Sequence, residues 1–325
     1  MRWLLALWLA ACGTATGPQP TPVVLWHAYS GAEKEALEAV AADFARAEPD
    51  IALRLVAVPY DAFPDKIGTA IPNGNGPDLF VFAHDRIGDW AAARILEPIE
   101  LFVDDELADR FDQAPLLALV RDDALWGLPL AVKSLALFYR TDLVPTPPVT
   151  TDELLAVGRG LTDASRGRYG LAYEGTKLYG HAAWLHGFGG AIFDEAGRLA
   201  IDSPEAAASV RFARGLGQIV PPETTSALVA TLFQEGRVGM ILSGPWLVGN
   251  LAAGVPWKVA PLPVVSATGR PAAPFLGVEG LMMSARARDK RAAFRVMAFL
   301  SSDAAAVVRA VRARQVVPNL SLIHI

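Results

Sequence analysis

The sequence predicts an α/β protein, and three observations carry that expectation. Short apolar runs alternate with amphipathic helical periods over the first ninety residues. One of those runs, Leu79-Phe80-Val81-Phe82, is continuously apolar and bounded by a glycine- and proline-rich turn, as a buried parallel strand is. The chain has 325 residues, which accommodates two domains. Strand, helix, strand, helix, strand in succession argues a parallel sheet with helices on both faces.

The elements follow in order. Val23 to Trp26 forms a first strand, and His27-Ala28-Tyr29-Ser30-Gly31 is the loop at its carboxyl end. A helix over 32–47 has Leu37, Val40, Ala41 and Phe44 on one face, with Pro49 beyond its end. A second strand over 51–58 and a short amphipathic helix over 61–71 lead to the turn Gly74-Asn75-Gly76-Pro77-Asp78. The buried strand comes next, and His84, Asp85 and Arg86 stand at its carboxyl end. Ligands of open α/β sheets bind at such ends. A carboxylate accepts from hydroxyls, a guanidinium donates to them, and adjacent they hold each other in place. On spacing alone Asp85–Arg86 also reads as a solvated pair or a helix cap. His27, Tyr29 and Ser30 are candidates for the same reason and have a structural alternative as well.

The whole run from Gly-x-Gly-Pro-Asp through Ala83-His84-Asp85-Arg86-Ile87-Gly88 resembles the corresponding segment of maltose/maltodextrin-binding proteins, the extracytoplasmic receptors of carbohydrate ABC importers. The resemblance extends over 23–318. It implies a periplasmic-binding-protein type of α/β fold, two α/β lobes joined by hinge strands. The expected divisions are a first lobe over 23–131, a second over 132–261 and a return to the first over 262–318. Gly127-Leu128-Pro129 leads the first crossing, and Tyr139-Arg140-Thr141-Asp142-Leu143 resembles the turn that follows it in the family. Val259-Ala260-Pro261-Leu262-Pro263 resembles the second crossing, and Phe275 to Met283 the strand back into the first lobe.

Site residues carry over position by position. Phe82 stands where relatives have a tryptophan. Lys133 aligns with a sugar-binding glutamate, so the charge there is reversed, and Lys177 again falls on a glutamate position. Tyr179 falls on a sugar-stacking tyrosine. Gly244-Pro245-Trp246 resembles the family's Asn-Gly-Pro-Trp, with Ser243 in place of the asparagine. A tryptophan there offers its face to the C–H groups of a pyranose, or serves as a core anchor for the helix it opens. Glu279 is a further polar candidate. With Tyr29 and Ser30 added from their place at a strand end, the candidate ligand-binding set is Tyr29, Ser30, Phe82, Asp85, Arg86, Lys133, Lys177, Tyr179, Trp246 and Glu279.

Helices are expected over 151–161, capped by Thr150 or Thr151, and over 203–216, capped by Ser203 with Pro204 behind it. Further helices are expected over 227–235, 290–300 and 303–314, and a strand over 169–173.

A net charge of −5, from 29 basic and 34 acidic residues, argues against a nucleic-acid partner. The 52% apolar content supports a large core. The one cysteine, Cys12, follows Met1-Arg2 and a short apolar run. Such a run is too short to span a bilayer, which takes about 20 residues, and fits a signal peptide. Leu9-Ala10-Ala11-Cys12 resembles a bacterial lipobox, which implies cleavage before Cys12 and lipid on its sulfur. An ordinary signal peptide with a chance cysteine is the alternative. Residues 13–22 read as a flexible tether. After Pro318 the family continues with helices that close over the cleft. Residues 319–325 read instead as an atypical or truncated tail.

The expected function is that of an extracytoplasmic, lipid-anchored receptor, monomeric and without metal or cofactor. It would take maltose or a malto-oligosaccharide and deliver it to the permease subunits. A same-fold receptor for an oxyanion or polyamine is an alternative. A periplasmic glycoside-acting enzyme is less well supported: no motif places two carboxylates across a scissile bond, and the sequence has no His-Glu-x-x-His, Gly-x-Ser-x-Gly or P-loop motif.

Overall fold

The computed structural model describes residues 19–322. Cys12, the apolar segment before it and most of the expected tether lie outside the described residues. The tether is shorter than expected at its carboxyl end. Thr21 and Pro22 already pair with Ile51 and Ala52, so the first strand, β1, runs Thr21–His27.

The first sheet has six strands. β1 lies parallel to both β2 (Ile51–Ala57) and β3 (Leu79–Ala83). The short β4 (Leu96–Glu97) closes one edge, and a hairpin of β5 (Val120–Arg121) and β6 (Ala124–Leu125) precedes β7 (Gly127–Lys133). The second sheet has the order β11-β8-β10-β9, from β8 (Ala136–Arg140), β9 (Tyr169–Ala172), β10 (Val238–Ser243) and β11 (Trp257–Ala260). A second hairpin, β12 (Val264–Val265) with β13 (Arg270–Pro271), precedes β14 (Gly277–Ser284). β14 runs antiparallel to β3, β4 and β7. The first sheet is therefore mixed rather than purely parallel, because the chain re-enters it from the other lobe in the opposite direction.

Helices cover both faces of the first sheet. On one face α1 (Gly31–Ala47) buries Leu37, Val40 and Phe44 against Leu25, Leu79, Val81 and Leu281. On the other, α2 (Phe63–Ala70) and α3 (Ile87–Ala92) bury Phe63, Ile67 and Trp90 against Phe80 and Phe82. The continuous apolar run of β3 follows from this: both of its faces are covered. Two short helices, α4 (Asp105–Ala108) and α5 (Gln113–Leu117), are capped by Asp104 and Asp112.

In the second lobe α6 (Thr151–Leu161) starts where Thr150 accepts from the Glu153 N–H, while the Glu153 carboxylate accepts from the Val149 N–H. That reciprocal bonding is a capping box shifted by one residue. α7 (Leu178–Gly187), α8 (Pro204–Leu216, capped by Ser203) and α9 (Ser226–Gln234) complete this lobe, with Trp184 fully buried. α10 (Lys290–Leu300) and α11 (Asp303–Ala313) return to the first lobe and pack against α1.

The second crossing falls later than position 262. Leu262 and Ala272 belong to the second lobe's core, Val264 bridges Thr150, and the Ser266 N–H donates to Thr151. The chain crosses at Phe275–Leu276, immediately before β14. The Ser134 hydroxyl donates to the Phe275 carbonyl at 3.0 Å and ties the two crossings together. At the tail, Asn319 is fully buried and donates to the Ser301 carbonyl and the Asp303 carboxylate.

Candidate functional site

Parallel pairing of β1, β2 and β3 brings their carboxyl ends to one edge of the sheet, so the loops at 28–30, 58–60 and 84–86 lie together. Lys133, the last residue of β7, sits at the same place because β7 pairs there with the start of β14, opposite Gly277.

The Lys133 ammonium lies 2.8 Å from a Glu279 oxygen and 3.1 Å from a Glu33 oxygen. Tyr29 donates its hydroxyl to the other Glu279 oxygen at 2.8 Å, and the Gln315 amide donates to Glu33 at 3.0 Å. Below them Arg309 is buried, donating to the carbonyls of Leu300 and Leu130. Two carboxylates and two cations thus share one small volume, and their formal charges cancel. Burial pulls the Lys133 pKa down, but Glu279 and Glu33 outweigh it and hold the ammonium above its ordinary value. Burial pushes Glu279 up, and the charge of Glu33 adds to that push against the pull of Lys133. Burial brings Arg309 down to about 10.

Aromatic rings stand over this floor. Trp246 opens the 3-10 turn Pro245–Asn250 at the end of β10, and its ring centroid is 5.9 Å from the Lys133 nitrogen. The Tyr29 ring is 5.6 Å from the same nitrogen. Tyr179, in the first turn of α7, is 36% exposed; its ring is 6.4 Å from Trp246 and 6.3 Å from Phe275. The 3-10 turn leans on the start of α1. Gly31 has φ +50°, and a Cβ on it would fall 2.4 Å from the Asn250 side-chain oxygen. Glycine takes that conformation without strain and leaves room for the Asn250 side chain.

The structure brings most of the predicted residues to this place but changes several roles. Phe82 is 4% exposed, enclosed by Phe63, Trp90 and Tyr60, and has no open face for a sugar. Tyr29 is buried, with its hydroxyl engaged by Glu279. Ser30 is exposed at the start of α1, and its side chain makes no capping bond there. Asp85 and Arg86 are both exposed, yet they do not pair; Arg86 reaches Asp89 at 4.0 Å instead. The 3-10 turn His84–Arg86 points successive side chains in different directions, which separates the two charges. Lys177 is an exposed residue paired with Glu174 at 2.8 Å. Its pKa is raised first by that hydrogen bond, with smaller contributions from Asp61 and Tyr60 of the first lobe.

Sequence reasoning did not find Glu33, Gln315, Phe275 or Tyr60. Tyr60 had a usable signal: an aromatic directly after Pro59, at the carboxyl end of a parallel strand. Glu33 had only its place in the first turn of α1, where an acidic residue ordinarily complements the helix dipole. Among the described residues, no group of three or more His, Cys, Asp or Glu is arranged to hold a metal ion. No described helix is long and apolar enough to cross a membrane.

Two α/β lobes, two tied crossings, and aromatic and charged side chains collected between them define a cleft receptor. The chain belongs to the bacterial extracellular solute-binding protein family, which matches residues 30–307 and comprises binding proteins rather than enzymes. It is 30% identical to a maltotriose-binding protein of Pyrococcus abyssi over 90% of its own length, and it spans 64% of that relative. A cyclo/maltodextrin-binding protein complexed with maltotetraose superposes with a TM-score of 0.79 at 28% identity, over 95% of this chain and 82% of that one. The Thermus thermophilus maltotriose-binding protein with bound maltotriose gives 0.84 at 27% identity, over 92% and 82%.

Proposed function

We propose that the protein is an extracytoplasmic receptor of a carbohydrate importer, holding a neutral oligosaccharide of the maltose or malto-oligosaccharide class between its lobes. The observation that carries this reading is the set Lys133, Glu33 and Glu279 under the rings of Trp246 and Tyr179. Rings bury the apolar face of a pyranose with little side-chain entropy lost. A charge-balanced polar floor offers donors and acceptors to hydroxyls without demanding a charged ligand. Lys133 has three donors, of which two are taken by carboxylates. The third is available to a sugar oxygen, and Asp85 and Arg86 offer more from the rim.

Closure of the lobes around ligand shifts an open–closed equilibrium, and a permease would read the closed form. Binding and release suffice for this role, and no bond is made or broken. The lipid anchor on Cys12 belongs to the same proposal and would keep the receptor at the membrane.

A thermal melt with maltose, maltotriose, trehalose and an anionic sugar tests the reading. Ligand at about 100 times its dissociation constant adds roughly 2.7 kcal/mol. That moves the midpoint by roughly 5–10 °C in a domain of this size. A shift with a neutral sugar supports the proposal; a shift only with the anionic sugar, or with none, contradicts it.

A further inference from the structure

Three rings in the first lobe form a stack that ends in the open. Phe63 is fully buried. Phe82 lies on it at 4.8 Å between centroids and 17° between planes. Tyr60 lies on Phe82 at 4.9 Å and 23°, and is 57% exposed. Two members of the stack are core; the third presents an aromatic ring to solvent at the cleft edge. Stacking on Phe82 fixes the orientation of the Tyr60 ring and leaves its other side open to a flat apolar partner.

Tyr60 is held rigidly. Pro59 precedes it, the residues Tyr60–Ala62 form a 3-10 turn, and Phe82 backs its ring. Little entropy remains to be lost when a ligand arrives. Its surroundings are those of the cleft. The Tyr60 pKa is raised by burial and then by Asp85 and Glu279, and Tyr60 in turn contributes to raising that of Tyr179 in the second lobe.

We propose that Tyr60 is the first-lobe stacking platform, taking the role expected of Phe82, and that it binds one pyranose unit of the ligand as the next member of the Phe63–Phe82–Tyr60 stack. This rests on the sugar-receptor reading above. The unit it takes is a neutral hexopyranose whose axial C–H groups lie on one face. The exposed Asp85 carboxylate beside it accepts from that unit's hydroxyls. With one unit on Tyr60 of the first lobe and a linked unit on Trp246 of the second, an oligosaccharide would be favoured over a monosaccharide.

The test is calorimetric titration of wild type, Tyr60→Ala, Tyr60→Leu and Tyr60→Phe with glucose, maltose and maltotriose, with ligand-free melting temperatures measured in parallel. Wild type is expected to prefer maltotriose. Tyr60→Ala and Tyr60→Leu should weaken maltotriose binding about tenfold or more. Tyr60→Phe should recover most of that loss, and the ligand-free melting temperatures should stay together. Unchanged maltotriose affinity in Tyr60→Ala, with wild type binding normally, overturns this inference and leaves the receptor reading standing. Weakened binding with an equally lowered ligand-free melting temperature in both truncations gives the ring a structural role and also overturns it. A wild type that binds none of the three sugars removes the reading on which the inference rests, and the inference with it.

Discussion

The Lys133 ammonium lies 5.9 Å from the Trp246 ring centroid, and this pair joins a first-lobe strand to a second-lobe turn. A cation over an indole face contributes about 0.5–2 kcal/mol, more as water is excluded. The same two side chains are proposed to meet the ligand from below and from the side. Lobe orientation and ligand binding would then draw on one contact.

Trp246→Ala should raise the dissociation constant for maltotriose by about tenfold to a hundredfold, the scale of one buried aromatic anchor. Asp85→Ala should raise it by about tenfold, the scale of a hydrogen bond to a charged group. Asp85 is exposed, so its removal should leave the ligand-free melting temperature in place. Titration calorimetry reads both variants, and unchanged affinity in both would remove the site assignment.

Lys133→Met leaves Glu33 and Glu279 facing each other without their cation. Breaking a buried pair costs about 3–5 kcal/mol. The Lys133 side chain is 18% exposed, so some solvent screening remains and a loss of about 2–3 kcal/mol is expected. Urea unfolding measures it. Adding Glu279→Gln should cost less than it does in wild type, and a simple sum of the two losses would show that the pair is not coupled.

Asp78 accepts from the Val24 N–H at 2.8 Å and from the Arg288 N–H and Nε, each at 3.0 Å. Burial alone would raise its pKa; the Arg288 and Val24 hydrogen bonds outweigh burial and lower it. A lowered carboxylate pKa stabilises the fold above the unfolded value of about 3.9, and that stability is lost as pH falls through the folded value. Asp78→Asn should therefore cost about 2–3 kcal/mol at pH 7, and the gap to wild type should close as pH falls below about 4. Urea midpoints across that range check the sign; a gap that widens in acid contradicts it.

His27 is buried, and its Nδ1 accepts from the Tyr29 N–H at 3.2 Å. Burial lowers its pKa, and the charge of Lys34 lowers it further. Its folded value below 6.5 means that stability is complete above about 6.5 and declines as pH falls through the folded value. An NMR titration should show His27 protonating below 6.5; a normal or raised value would contradict the burial account.

Much of this was legible in the sequence because it is local. The apolar run Leu79 to Phe82, the Thr150 and Ser203 caps and the Gly244-Pro245-Trp246 turn each occupy a few consecutive residues, and all formed as read. The partners of Lys133 were less legible, since Glu33 is 100 residues away and meets it only after two strands and a helix have packed. The burial of Phe82 was not legible for a related reason. Its exposure depends on whether Tyr60, from another loop, lies over it. The second crossing lies later than the resemblance of Val259-Ala260-Pro261-Leu262-Pro263 implies. That segment instead leads into a hairpin that Thr150 and Thr151 hold to the second lobe.

The most direct test of the sugar-receptor account is a calorimetric titration of the purified protein with maltotriose. The account predicts saturable binding of one maltotriose per chain, abolished or weakened at least about tenfold in Trp246→Ala. No saturable heat with maltotriose or any other neutral oligosaccharide, from a protein that melts cooperatively, would contradict it.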